Sequence, residues 1–122
     1  MSHRIHSDLY RVGKGMEDPG DAGEIRVTED LMICEMVSAA AETRTLKAPT
    51  KSGIRFVLRL MTDGGDVVVT AENGFNVSGD TVARFADASD LLSLISVEYT
   101  AGPPQTYRWE VMEGNTGVVI AA

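Results

Sequence analysis

The stretch that decides the fold is Ile54-Arg55-Phe56-Val57-Leu58-Arg59-Leu60-Met61, followed by Thr62-Asp63-Gly64-Gly65-Asp66 and Val67-Val68-Val69-Thr70. Apolar side chains occupy every second position of the first segment, with arginines at two of the positions between them. This period of two is typical of a strand with one buried face. Because Asp-Gly and Gly-Gly pairs favour tight turns, the segment 62–66 predicts a β-hairpin that joins the two flanking strands.

The remainder of the chain, read outward from this stretch, consists of short apolar runs between turn residues. No run with a helical period is long enough to compete with strands. The alternation in Leu91–Tyr99 changes phase between Leu94 and Ile95, which predicts a bulge or an element buried on both faces. The sequence therefore predicts an all-β fold, a compact antiparallel β-sandwich or barrel with pairing mostly between sequence neighbours. The further predicted strands are Glu24–Thr28, Leu31–Val37, Thr43–Leu46, Gln105–Met112 and Gly117–Ala121.

The first thirty residues differ in composition from the rest of the chain. They are rich in charged residues and glycine, and their apolar residues follow no sustained period. Such a segment has little apolar area to offset the entropy of ordering its backbone. We therefore expect residues 1–30 to form an extended N-terminal arm that orders against a neighbour, and residues 31–122 to form the β-domain. The alternative is a tail without a role.

The charge of the chain constrains its partners. The 122 residues carry a net charge of −7, which argues against binding to nucleic acid, because phosphates require a basic face. Between Thr43 and Thr62 all charged residues are nevertheless basic. This asymmetry indicates docking to an acidic protein surface or contact between copies, although a solvated strand face would show the same pattern. The basic residues are Arg44, Lys47, Lys51, Arg55 and Arg59.

The sequence gives no sign of secretion or membrane insertion. The N-terminus lacks the apolar core of a signal peptide, and no apolar run approaches the length that spans a bilayer. The single cysteine, Cys34, allows no intrachain disulfide and is expected to be a buried apolar side chain. We expect a soluble protein that is made in a cytoplasm.

Residues that could support chemistry are few. His3 and His6 are the only histidines, and both lie in the predicted arm. The pairs Asp63/Asp66 and Asp87/Asp90 could bind calcium or act as acid and base, but each lies in a predicted turn, where aspartate favours local backbone hydrogen bonds. Trp109 is expected in the core, or else exposed with Tyr107 for stacking on sugars. We expect no enzyme, no catalytic residue, no cofactor and no metal site.

Residues 43–122 resemble the small β-rich virion proteins of tailed bacteriophages. The resemblance rests on Thr43-Arg44-Thr45-Leu46, Pro49-Thr50 and Gly53, on Thr62–Asp66 with Val69-Thr70, on Phe85-Ala86-Asp87-Ala88-Ser89-Asp90, on Arg108-Trp109-Glu110-Val111 and on Gly117-Val118. It implies a capsid decoration, or cement, protein that binds the outer surface of the head shell and stabilises contacts between capsomers. The alternative is a head-fibre or tail-associated module for adhesion or carbohydrate binding.

The same resemblance implies partners and a location. The expected partner is the major capsid protein, the expected state is a homo-oligomer with a trimer favoured, and the expected place is the capsid surface of a virion made in the bacterial cytoplasm. Neither a membrane nor nucleic acid is expected as a partner. The expected contact residues are Ile5, Leu9, Tyr10 and Val12 of the arm, with Arg44, Lys47, Lys51, Arg55 and Arg59 of the basic stretch.

Overall fold

A computed structural model describes residues 14–76, 79–100, 104–112 and 115–122 of the chain. Within these ranges all regular structure is β-strand, which confirms the predicted all-β class. No helix that could span a membrane occurs in the described residues. The strands are β1 (Lys14–Met16), β2 (Gly23–Ile25), β3 (Leu31–Val37), β4 (Glu42–Leu46), β5 (Arg55–Thr62), β6 (Val67–Ala71), β7 (Val82–Phe85), β8 (Leu91–Thr100), β9 (Thr106–Val111) and β10 (Val119–Ala121).

The strands form two five-stranded sheets. Sheet A has the order β1-β3-β5-β8-β9, and sheet B has the order β10-β7-β6-β4-β2. From β1 to β6 the chain alternates between the sheets, so each strand pairs in parallel with the strand two positions along. The remaining pairs are antiparallel. The prediction of mostly antiparallel, sequence-neighbour pairing was therefore wrong, and the described strands are not closed into a barrel.

The predicted hairpin at Thr62–Asp66 is also wrong, because β5 and β6 belong to different sheets. The glycines of this segment allow a close approach between two connections. A Cβ atom on Gly64 would lie 2.7 Å from the Cα of Ala39, and one on Gly65 would lie 2.5 Å from the backbone nitrogen of Ala41. The segment thus crosses from sheet A to sheet B against the β3–β4 connection. Turn composition alone does not distinguish such a crossover from a hairpin.

In strand β8 every second side chain from Leu92 to Ser96 is buried, so the alternation continues through the predicted irregularity at Leu94 and Ile95. Leu94 and Ile95 pair in continuous register with Phe56 and Arg55, and the register shifts only between Glu98 and Thr100. The apparent change of phase arises because Ser96 points into the core while Ile95 and Val97 point outward. Ser96 is buried and its hydroxyl accepts a hydrogen bond of 2.8 Å from the amide of Ile54, which satisfies the polar group.

The apolar core takes side chains from both sheets. Phe56, Leu58 and Leu60 of β5 are fully buried, together with Val67 and Val69 of β6. The period of two in the opening stretch therefore predicts the buried residues correctly, although it does not predict the partner strands. Each large aliphatic or aromatic side chain buried in this way contributes roughly 1.5–3 kcal/mol.

The described part of the predicted arm contributes strands to both sheets. Residues 14–30 contain β1 and β2. Strand β1 pairs with β3 in sheet A, and β2 pairs with β4 in sheet B. Ile25 is fully buried and Met16 packs against the core. The sheets therefore begin before residue 31, where the sequence placed the start of the β-domain. Residues 1–13 lie outside the described residues.

Candidate functional site

The outer face of sheet A carries many apolar side chains. In β3, β5 and β8 one side of the strand faces the core, and the positions between face outward. Most of these outward residues are only half-buried, and the side chains of Val37 and Met61 at one end are 50% and 51% exposed. We call this surface the A face. Its apolar members are Leu31, Ile33, Val37, Val57, Met61, Leu91, Ile95 and Val97.

Charged side chains also lie on the A face, and most of them are paired with each other. Arg59 donates to Glu35 at 2.8 Å across β5 and β3. Arg108 donates to Glu110 at 2.8 Å along β9, and its guanidinium lies 5.2 Å from the ring centroid of Tyr99. Arg55, in contrast, is exposed and makes no ion pair with any residue that the structure describes. Among the described side chains of this face, Arg55 is therefore a cation without an ion-pair partner.

The outer face of sheet B has a different composition. Its central strands present threonines and a few small aliphatic side chains, and Arg84 there pairs with Asp66 at 3.3 Å. The outward residues of β4, β6 and β7 are Thr43, Thr45, Val68, Thr70, Val82 and Arg84. Threonine suits a strand face in contact with water. Contiguous apolar surface, in contrast, marks interaction sites. The A face is therefore the stronger candidate for contact with another protein.

The basic residues that the sequence grouped as one patch lie in three different environments. Arg44 is buried and does not reach the surface. Lys47 contacts Glu72 at 2.5 Å, and Lys51 contacts Asp30 at 2.8 Å, both near the β4–β5 connection. Only Arg55 and Arg59 lie on the A face. The predicted patch is thus not one continuous basic surface, and we leave Arg44 out of any surface contact.

Arg44 is the centre of a buried ion cluster. Its Nε and Nη2 atoms donate to the two carboxylate oxygens of Asp18 at 2.7 and 2.8 Å. Nη2 also contacts Glu42 at 3.1 Å and the carbonyl oxygen of Val37 at 3.1 Å. The side chain of Arg44 is 0% exposed and that of Asp18 is 16% exposed. The cluster joins the β1–β2 connection to the inner side of sheet B.

The ionisation of Asp18 reflects these contacts. Burial acts to raise the pKa of its carboxyl group, but hydrogen bonds from Arg44 and from the amides of Val37 and Gly20, with the charge of Arg44, hold that pKa below its usual range. Sequence reasoning missed the pair, because Asp18 and Arg44 are 26 positions apart. The pairing of β2 with β4, which places Gly23 beside Arg44, and the hydrogen bond from the Val37 amide at the end of β3 hold Asp18 next to Arg44.

Two of the four aspartates considered for chemistry, Asp63 and Asp90, serve local structure. Asp63 accepts a hydrogen bond from the amide of Gly65 at 3.1 Å. Asp90 is buried and accepts from the amides of Ala86 and Asp87 at 2.9 and 3.0 Å. In the described ranges no three histidine, cysteine or acidic side chains lie close enough to hold a metal ion. These contacts fit the predicted turn role of aspartate.

The aromatic side chains of β9 do not form an exposed pair. Trp109 is 1% exposed. Its ring lies 5.8 Å from that of Phe56, and its Nε1 donates to the carbonyl oxygen of Lys47 at 3.0 Å. Tyr107 is half-buried and donates to Gln105 at 3.1 Å. Trp109 is thus a core residue and cannot stack on a sugar ring at the surface.

The remaining predicted contact residues, Ile5, Leu9, Tyr10 and Val12, lie outside the described residues, as do His3 and His6. No protein-family model matches the chain, and no curated protein matches it in sequence.

Proposed function

We propose that this protein is a non-catalytic structural protein of a tailed-phage virion, a decoration protein that binds the outside of the head shell and stabilises contacts between capsomers. The specific role comes from the resemblance of residues 43–122 to small virion proteins. The observation that carries a role in assembly is the A face. Its apolar side chains would be removed from water, at a gain in free energy, if another protein covered them.

The architecture suits such a role. Buried residues of sheets A and B belong to one core, from which we infer that the two sheets pack as a β-sandwich. A sandwich leaves one outer face per sheet, and here only the A face is rich in large apolar side chains. Many copies on a symmetric shell would add weak contacts into strong binding. The major capsid protein is the proposed partner on the shell.

Residues 1–13 are the proposed shell-contact segment, with Ile5, Leu9, Tyr10 and Val12 as its apolar contacts. The proposed segment does not include residues 14–30, because β1 and β2 belong to the sheets and Asp18 binds Arg44. Lys47 and Lys51 at the β4–β5 connection are the proposed basic contacts, since opposite charge on the shell would speed docking and fix its orientation.

The test uses expanded phage heads that lack a decoration protein. Purified full-length protein is incubated with the heads, and occupancy is measured by cryo-electron microscopy, with a variant lacking residues 2–13 as comparison. We expect ordered density between capsomers for the full-length protein and loss of binding for the shortened variant. Circular dichroism of the variant verifies that the sheets remain folded.

Two results would contradict the proposal. Absence of density on the heads would reject decoration, and density restricted to the tail would favour a tail-associated protein instead. Equal occupancy by the shortened variant would reject residues 1–13 as the contact segment.

A further inference from the structure

The chain enters sheet A at the edge of the A face. Strand β1 is an edge strand of sheet A, and the described chain begins at its first residue, Lys14. The middle residue of β1, Gly15, pairs with the outward-facing Ile33, and no atom lies within 4 Å of the position that a Cβ on Gly15 would take. Residues 1–13 therefore connect to the sheet at an edge that is open towards the A face.

The segment before β1 is long enough to cover the most exposed apolar members of this face, Val37 and Met61. These lie one and two strands from β1, and each is five residues along its strand from the row that contains Lys14. At ~3.3 Å per residue and ~4.8 Å per strand, both lie about 20 Å from Lys14. Residues 1–13 in extended form span about 43 Å. The length of the segment therefore allows it to reach the far end of the A face.

Charge complementarity links the segment to the A face. Asp8 is the only acidic residue among residues 1–13, and Arg55 is an exposed arginine of the A face that has no ion pair within the described ranges. Arg55 lies two strands from β1, which is about 10 Å across the sheet. Asp8 precedes Lys14 by six residues, and these reach about 20 Å when extended. The carboxylate of Asp8 can therefore reach the guanidinium of Arg55.

We propose that residues 1–13 fold back over the A face of their own chain in the free protein, with Asp8 paired to Arg55. The stretch between Asp8 and β1 then crosses β3, and its apolar side chains cover those of β3 and β5. Removal of apolar surface from water on both sides favours this contact. Gly13, directly before β1, allows the chain to reverse, because glycine adopts backbone conformations that other residues rarely adopt. The apolar residues of the stretch are Leu9, Tyr10 and Val12.

The covalent connection favours the chain's own segment over that of a second copy. A short flexible linker holds its two ends at an effective concentration in the millimolar range, far above that of a second copy in dilute solution. A contact within one chain also needs less buried area than an interface between two molecules, since no second molecule loses its translational and rotational freedom. Transfer of residues 1–13 to a partner surface uncovers the A face, so the segment acts as a reversible cover.

The inference goes beyond the proposed role on a shell and is tested on free full-length protein, so it can fail independently of shell binding. A nitroxide spin label is attached to the variant Ser7→Cys, whose new cysteine is next to Asp8. Cys34 is buried and stays unlabelled. The label broadens the NMR signals of nearby backbone amides, and this effect falls steeply with distance.

The broadening is compared between the two outer faces of the protein. We expect strong broadening at Val57 and Ile95 on the A face, and little at Thr45 and Thr70 on the outer face of sheet B. A second sample mixes spin-labelled protein without isotope with isotope-labelled protein without spin label, so that only contact between copies can broaden signals. Absent broadening in the first sample, equal broadening of both faces, or equally strong broadening in the mixed sample would each overturn the proposal.

Charge reversal in the spin-labelled protein tests the pairing of Asp8 with Arg55. Asp8→Arg and Arg55→Glu are each expected to reduce the ratio of covered to uncovered protein by about twofold to fivefold, the range for an exposed ion pair. The double variant restores opposite charges and should regain most of the broadening. Thr70→Glu adds a negative charge to the outer face of sheet B and is the matched control, which should behave as the parent protein. Single variants equal to the parent, or a double variant no better than the single ones, would overturn the pairing.

Discussion

Breaking the buried ion pair between Asp18 and Arg44 by removing one partner is expected to destabilise the protein strongly, because it leaves a buried charge without its main partner. Replacing Asp18 with asparagine keeps the shape of the side chain but only one accepting oxygen. That oxygen can accept from the Val37 amide or from the Gly20 amide, because these donate to different carboxylate oxygens of Asp18, at 2.9 and 3.2 Å. The substitution removes the negative charge that faces both donors of Arg44 at 2.7 and 2.8 Å. Arg44 would then keep Glu42 as its one charged partner.

The magnitude follows from this geometry. Loss of one partner from a buried ion pair costs about 3–5 kcal/mol. The remaining contact with Glu42 and the 16% exposure of the Asp18 side chain reduce the expected cost to about 2–3 kcal/mol. For a domain of this size the midpoint of thermal unfolding should fall by about 10 °C.

The assay is urea unfolding of Asp18→Asn and wild type, followed by circular dichroism at several pH values. Since the folded pKa of Asp18 lies below its ordinary value of 3.8, its contribution is complete well above that pH and is lost as the pH falls through the folded pKa. The difference between the two proteins should therefore be largest at neutral pH and shrink in acid.

A matched control is available in the exposed pair of Asp66 and Arg84, whose side chains are 44% and 53% exposed. Asp66→Asn should change the free energy of unfolding by less than about 1 kcal/mol. If Asp18→Asn were no more destabilising than this control, or if its deficit were equal at all pH values, the role assigned to the buried pair would be refuted.

Two further predictions concern close packing. Gly65→Ala should lower stability by about 1–3 kcal/mol, because its Cβ would lie 2.5 Å from the backbone nitrogen of Ala41; Gly15→Ala, with no atom within 4 Å of its Cβ, is the control for urea unfolding and should be nearly neutral. Cys34 should react with a thiol reagent only after denaturation, since burial, followed by the charge of Asp18, raises the pKa of its thiol to about 12. Rapid reaction in native protein would contradict the burial.

Much of the local structure was predictable from the sequence. Leu31–Val37 is a strand with the predicted bounds, and the other predicted strands match observed ones within a few residues. Strands β1 and β7 were missed. In β7, Ala83 and Phe85 alternate with Arg84 between two turn segments and could have revealed the strand. The candidate surface was predicted less well, because Arg55 and Arg59 were grouped with a buried arginine and the apolar side chains beside them were not recognised.

The sequence by itself determined the all-β class and the buried side of each well-patterned strand, because a period of two encodes which face of a strand is apolar. Only the tertiary structure decided which strands pair, since alternation is the same in a hairpin and in a crossover between sheets. It also decided that Arg44 meets Asp18 inside the protein and that Trp109 donates to the carbonyl oxygen of Lys47. Such contacts join residues far apart in the chain, and no local pattern records them.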